Sequence, residues 1–275
     1  MPKMFLRRLL RPFWYRFRIR QALASSSPPI LVYQMGKVGS STITALLRRS
    51  PQPHVFHVHR LNPEHIERLR AERRAKGQPI PERDDVGLLL YRHFILAGCR
   101  ARVITLVREP IGRNISSYFQ NLDHLWRTRH AYQRLSLDRL VQGFFELFPH
   151  STPLTWFDDE FKPILGIDVY AYEFPHGRGW LTIRTERYDT LILKSDLDDE
   201  AKAVCISNFI GIPPVPLVKR NASNEKPFGE VYREFVRSIR LPASYVDQML
   251  NSRYARHFFS LSEIQDLRQK WLNNG

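Results

Sequence analysis

The 275-residue chain is 43% hydrophobic and carries 42 Lys and Arg against 27 Asp and Glu, a formal net charge of +15. That content supports one sizeable core or two small ones, and the charge implies an anionic partner such as a nucleotide, a polyanionic glycan, a membrane surface or nucleic acid. Only Cys99 and Cys205 are present, far from any ligand-like His spacing, which argues against a disulfide framework or structural zinc and fits a reducing, cytoplasmic compartment.

The first twenty residues, MPKMFLRRLLRPFWYRFRIR, place Phe5, Leu9, Leu10, Phe13 and Phe17 at roughly helical spacing. Arg7, Arg8, Arg11, Arg16 and Arg18 interleave with them, so there is no uncharged signal-peptide core. Nor does any apolar run approach the ~20 residues that span a bilayer. Two readings stand for residues 1–20: a helix lying on an anionic membrane, peripheral on its inner surface, or a helix packed on the protein's own core. Pro12 is expected to kink it. ALASSSPP then reads as a linker, setting a segment at 1–29 apart from one domain at 30–275.

Within that domain, residues 30–35 read as a buried strand, 40–49 as a helix, 54–59 as a second strand and 63–76 as a charged helix. A helix is expected over 88–98, a β-branched strand over 102–107 and a helix over 112–126. Residues 166–174 and 181–184 look extended, 190–194 is a further strand, 197–210 a helix, and the chain from 228 to about 271 is mostly helical. Strands alternating with helices predict an α/β fold, a P-loop-like parallel sheet flanked by helices with a mostly helical C-terminal part. Ligands bind such sheets beyond the carboxyl ends of the strands.

Three strand ends carry chemistry. In VYQMGKVGSST, Gly36 and Gly39 permit unusual dihedrals, and the amides of residues 38–41 can face an anion at a helix N-terminus. Lys37 adds a movable charge, and Ser40, Ser41 and Thr42 add hydroxyls. A nucleotide-hydrolase loop has its lysine after the second glycine, whereas Lys37 lies between Gly36 and Gly39. A capped turn would explain the serines but not that lysine. In VITLVREPIGRNISSYFQN, Arg108 ends a strand and Ser116 lies early in the next helix, so the two can converge on one phosphate; the alternative is an Arg108–Glu109 ion pair. In HVFHVHRLN, His57 and His59 share one strand face.

GKVGSS and the Arg108–Ser116 spacing together resemble the sulfotransferases that use 3′-phosphoadenosine-5′-phosphosulfate (PAPS). Their first loop reads P-K-x-G-[ST]-[ST], and their second signature is a strand-end arginine with a serine eight residues on. The resemblance implies that Gly36, Lys37, Val38, Gly39, Ser40, Ser41 and Thr42 hold the 5′-phosphosulfate and that Arg108 and Ser116 hold the 3′-phosphate. PAPS would then be the co-substrate and 3′,5′-ADP the product. The histidine-bearing strand is similar to that of heparan and chondroitin 2-O-sulfotransferases, where a histidine is the general base. His59 is favoured over His57 because it lies nearer the strand's carboxyl end. A late basic loop closes over the 3′-phosphate in such enzymes, and VKRNASNEKPFG, with Lys219, Arg220 and Lys226, occupies that place.

The segments WFDDEFKPILGIDVY, TLILKSDLDD, NASNEKPFGEVYREF and RHFFSLSEIQDLRQKW narrow the resemblance to bacterial sulfotransferases linked to capsular polysaccharide, over about residues 30–272. It implies a carbohydrate or glycolipid acceptor. Asp158, Asp159 and Glu160 are candidates to orient its hydroxyls, or simply mark a helix start, and Trp156 to stack on a sugar face, or to lie in the core. No carboxylate pattern calls for magnesium, so no metal is expected. The competing classes are a P-loop kinase, a nucleic-acid-binding protein, although no specific nucleic-acid motif occurs, and an inactive glycan-binding relative.

Overall fold

The computed structural model describes residues 2–49, 54–75, 77, 80, 83–213 and 226–273, and of residues 2–12 and 83 the backbone alone. Its centre is a five-stranded sheet of β1 (Ile30–Tyr33), β2 (Val55–Val58), β3 (Ala101–Val107), β4 (Trp180–Arg184) and β5 (Tyr188–Lys194) in the order β2-β1-β3-β5-β4. The first four in that order run parallel, with Ile30 opposite Val55 and Arg102, and Val107 opposite Lys194. All of β1, and all of β3 but Arg102, is buried. Successive side chains point to opposite faces, so both faces of the centre are covered.

The sheet is not wholly parallel, as the sequence reading expected. β4 is antiparallel to β5. Only three residues separate the two strands, and Thr185 closes the connection by donating from its amide to Tyr188 O at 3.0 Å. A connection that short cannot carry the crossover a parallel pair needs.

Helices α1 (Pro2–Leu23), α2 (Ser40–Arg49), α3 (Pro63–Ala75), α4 (Arg83–Leu90) and α5 (Pro110–Gln120) follow the predicted order. α1 continues helical through Pro12. α4 starts before the predicted 88 and gives way to a π-helical turn, Tyr91–Ile95. Residues 166–174 are not extended. Gly166, at φ 69°, ends the helix Lys162–Leu165, and Asp168 accepts from Tyr170 N at 3.1 Å to cap a 3-10 turn at Val169–Ala171. Side-chain capping competes with strand pairing wherever Asp can reach its own backbone.

Buried residues form two clusters. One surrounds the sheet, and the other joins α5 to Leu137–Leu147, Gly229–Ser238, Ala243–Leu250 and Trp271. Between them lie the carboxyl ends of β1 and β3. The chain leaves β1 toward β2 on one side and returns to β3 on the other. That reversal opens a crevice, the place where such sheets bind ligands.

Candidate functional site

β1 ends at Tyr33 and α2 begins at Ser40, so residues 34–39 turn the chain at this crevice. Two of them hold a left-handed φ: Gly39 at 91° and Lys37 at 75°. Glycine adopts that conformation freely, whereas lysine there costs about 1–3 kcal/mol and must be held by its surroundings. Arg108, just past β3, donates from Nη1 to Lys37 O at 3.0 Å, and Arg113 in the first turn of α5 donates from Nε to Gly36 O at 3.1 Å. A trans peptide points its carbonyl and the next amide in opposite directions. Fastening these carbonyls therefore turns the Lys37 and Val38 amides away from the two arginines. Val38 is fully buried and anchors the loop from beneath.

Arg108 is fixed at its own backbone by Tyr254, whose hydroxyl accepts from Arg108 N at 3.1 Å and donates to Arg108 O at 2.9 Å. Glu109, the alternative partner for the Arg108 side chain, caps α5 by accepting from Ile111 N at 2.9 Å and Gly112 N at 2.7 Å. A Cβ at position 112 would meet Glu109 Oε1, so a larger residue there would push the capping carboxylate aside.

The result is a concentration of positive charge. Burial, then Lys226, Arg108 and Arg113, pushes Lys37 down to about 7. Arg113 is 4% exposed, and burial foremost pushes it down to about 10. Cations crowded at the N-terminus of a ten-residue helix make a site short of negative charge, which an anion would relieve.

The histidines stand beside this loop. Ser40 Oγ accepts from Gln34 Nε2 at 2.5 Å and lies 3.0 Å from His57 Nε2, to which it can donate. Burial, then Arg48, pushes His57 down to about 4, so its ring is neutral at physiological pH. His57 thus ties β2 to the first residue of α2. His59 Nδ1 lies 2.9 Å from Gln34 O. A carbonyl only accepts, so Nδ1 carries the proton and the lone pair belongs to Nε2. β2 ends at Val58, one residue short of His59, and the two rings meet edge-on at 4.8 Å. Trp156 Nε1 donates to His59 O at 3.1 Å and fixes the backbone there.

These groups open onto a cleft of about 1260 Å³, larger than the ~300–1000 Å³ typical of a pocket for one small ligand. Among the described residues its lining holds seven Lys or Arg (Lys37, Arg60, Arg68, Arg73, Arg108, Arg113, Lys226) against three carboxylates (Glu72, Glu146, Asp159). Of the residues expected at the site, Gly36, Lys37, Gly39, Ser40, Ser41, Thr42, His57, His59, Arg108, Ser116, Trp156 and Lys226 line it. Lys226 Nζ also hydrogen-bonds Gln120 Oε1. Arg220 and Lys219 lie outside the described residues.

The acidic group is placed differently from expectation. It is not a helix start but a π-helical turn, Phe157–Phe161, inside a continuous helical run over 152–165. Glu160 stands on the same face as the buried Trp156, Phe157 and Phe161 and is itself fully buried. Its Oε2 accepts from Tyr33 Oη at 2.7 Å, Leu61 N at 2.8 Å and Asn62 N at 3.1 Å. His65 Nδ1 lies 2.6 Å from Oε1 but off the line of a hydrogen bond. Glu160 thus holds the chain leaving β2 and is absent from the cleft lining. Asp158, 47% exposed and 4.0 Å from Arg253, is also outside it, whereas Asp159 lines it and pairs with Arg68 at 3.2 Å. Trp156 is 3% exposed and packs mainly on Tyr33 and Phe161.

Arg113, Gln34 and Tyr254 escaped the sequence reading. Arg113 had a signal: a helix starting at Pro110 puts it one turn before Ser116 and Ser117, on the same side. Tyr254 had none, because it meets Arg108 only through the tertiary fold.

Residues 137–260, under half of the chain, match the family model NKWYS, "Putative capsular polysaccharide synthesis protein". No curated protein and no solved structure matches the chain. The matched stretch supplies the cleft wall from Glu146 to Asp159, with Lys226 and Tyr232. It leaves out the turn at 34–42 and the segment 108–116.

Proposed function

We propose that this protein transfers a sulfuryl group from PAPS to a carbohydrate hydroxyl, releasing 3′,5′-ADP. The observation that carries the reading is the convergence of Lys37, Arg108, Arg113 and Lys226 on a turn whose lysine falls to about 7. The turn, Ser41 and Thr42 would receive the 5′-phosphosulfate, and Arg108, Ser116 and Lys226 the 3′-phosphate. The cleft exceeds the range for one small ligand, which suits two substrates side by side. The family likeness takes in the cleft residues from Glu146 to Asp159 and supports a carbohydrate acceptor there.

In this reading the acceptor oxygen bonds to sulfur while the bond from sulfur to the 5′-phosphate oxygen breaks, its electron pair leaving with the nucleotide. His59 Nε2 takes the hydroxyl proton, its ring held by the Nδ1 hydrogen bond to Gln34 O. Lys37 meets the charge developing on the leaving oxygen. His57 orients the loop through Ser40 and touches no reacting atom. The chain's work is positioning and electrostatics, as in phosphoryl transfer, and no metal takes part.

A kinase would place its lysine after the second glycine; a glycan-binding relative would bind saccharide without turnover. Calorimetry with 3′,5′-ADP, 5′-AMP and ATP, followed by turnover of labelled PAPS on a capsular saccharide pool, tests the proposal. Tightest binding of 3′,5′-ADP and label in the saccharide are expected. Preference for ATP would overturn the nucleotide assignment, and binding without label transfer would leave the glycan-binding reading.

A further inference from the structure

Helix α1 has two apolar faces. On one, Ile19 and Ala22 are 1% and 3% exposed and join the core of the sheet, with Tyr15 packed beside them. Arg18 fastens this side: Nη2 donates to Val55 O at 2.8 Å, and the guanidinium lies 4.9 Å over the Phe56 ring. On the other, Phe13, Trp14 and Phe17 are 67%, 51% and 59% exposed. At 3.6 residues per turn Phe17 and Ile19 stand about 160° apart, while Phe13 and Phe17 lie one above the other. Packing on the protein's own core accounts for the first face and leaves the second without a role.

The second face has a basic rim. Arg16 and Arg20 flank it and are exposed, as are Arg48 and Arg49 at the end of α2. Arg48 is close enough to Arg18 to lower its pKa, though burial does so more. α1 contains no acidic residue. Exposed aromatics beside arginines match an interface of acyl chains and anionic headgroups, where amphipathic rings and guanidinium groups both find partners. Among the described residues no helix is long and apolar enough to cross a membrane, so such a helix would lie on the surface.

We infer that α1 docks the protein on an anionic lipid surface, with Phe13, Trp14 and Phe17 among the headgroups and Ile19 and Ala22 holding the helix to the domain. Val55 is at the amino end of β2, and the cleft opens past the carboxyl ends. Docking therefore leaves the cleft uncovered, and the inference stands apart from the chemistry proposed for it.

The test uses the full chain and phosphatidylcholine vesicles with and without about one part in three phosphatidylglycerol. The wild-type protein should sediment with the anionic vesicles and stay in solution with the neutral ones. Combining Phe13→Ser, Trp14→Ser and Phe17→Ser should lower the partition coefficient roughly 100-fold, and Arg16→Glu with Arg20→Glu about 10-fold or more. The melting curve of the Phe13→Ser, Phe17→Ser pair should be unchanged, because these two side chains face outward, whereas Trp14 also packs on Arg18 and Tyr15. As a check that needs no multiple variant, brominated anionic lipids should quench the wild-type protein more than Trp14→Phe. Wild-type protein left in solution with anionic vesicles, or equal sedimentation of the triple variant, would overturn the inference. So would a lipid-indifferent dimer that the triple variant dissociates, since a second copy would then cover this face.

Discussion

Binding of 3′,5′-ADP should draw a proton onto Lys37. In the free protein this amine sits at about 7 through burial and three neighbouring cations, so at pH 8 only about one molecule in ten carries the charge. A dianionic phosphate placed among Lys37, Arg108, Arg113 and Lys226 gives the ammonium a partner and returns its pKa toward the ordinary ~10.4. Uptake at pH 8 should then be ~0.9 proton per nucleotide. Phosphate monoesters, with a second pKa near ~6, are already dianionic. His57, at about 4, is already neutral. The sign follows from a bound pKa above the free one. The affinity gained from this coupling is complete below pH 7 and is lost as pH rises from 7 toward the bound value, by at most about tenfold per pH unit. Calorimetry at pH 8 in two buffers of different ionisation enthalpy, Tris and HEPES, reads the uptake directly. Lys37→Met should abolish it. Equal enthalpies in the two buffers, or undiminished uptake in Lys37→Met, would refute the reasoning.

Arg108→Ala should weaken 3′,5′-ADP by about 1.5–3 kcal/mol, the typical loss of a charge-assisted hydrogen bond, and 5′-AMP by less; equal losses in a competition assay would remove Arg108 from the 3′-phosphate. His59→Ala should lower turnover about 10²–10⁴-fold with nucleotide affinity unchanged, whereas His57→Ala, which loosens Ser40, should weaken nucleotide binding. Near-wild-type rates in both variants would shift the base to Asp159, the one carboxylate of the acidic group in the cleft lining. Glu160→Ala leaves Tyr33 Oη and the amides of Leu61 and Asn62 without their acceptor. It should cost about 3–5 kcal/mol and lower the melting temperature by roughly 10 °C. Asp158→Ala should move it little, and equal melts for the two would contradict the placement of Glu160. Turnover should also survive EDTA, and a rate restored only by added magnesium would revive the kinase reading.

The local pattern of the sequence determined the elements that frame the site. An apolar run ending at a Gly-Lys-x-Gly turn predicts β1 and α2, and β-branched residues before Arg108 predict β3, because short-range sterics and helix capping decide these elements from neighbouring residues alone. The pairing of His57 with His59 followed from strand periodicity in the same way. What sequence could not decide was what each polar group meets. Glu160 and Asp158 are two residues apart in one acidic run, yet one is buried under β1 and the other faces solvent, because positions two apart on a helix lie on opposite faces and the core takes the face of Trp156, Phe157, Glu160 and Phe161. Lys37 has its depressed pKa because the fold buries it and brings Arg108 and Arg113 from one distant stretch and Lys226 from another beside it. Tyr254 clamps the end of β3 from 146 residues away. Helix α1 shows both kinds of information: its sequence announced an amphipathic segment, but one apolar face looks much like another until the core takes Ile19 and Ala22 and leaves Phe13 and Phe17 outside. Local propensity depends on the few residues on either side; burial, charge and hydrogen-bond partners depend on whatever the folded chain brings near.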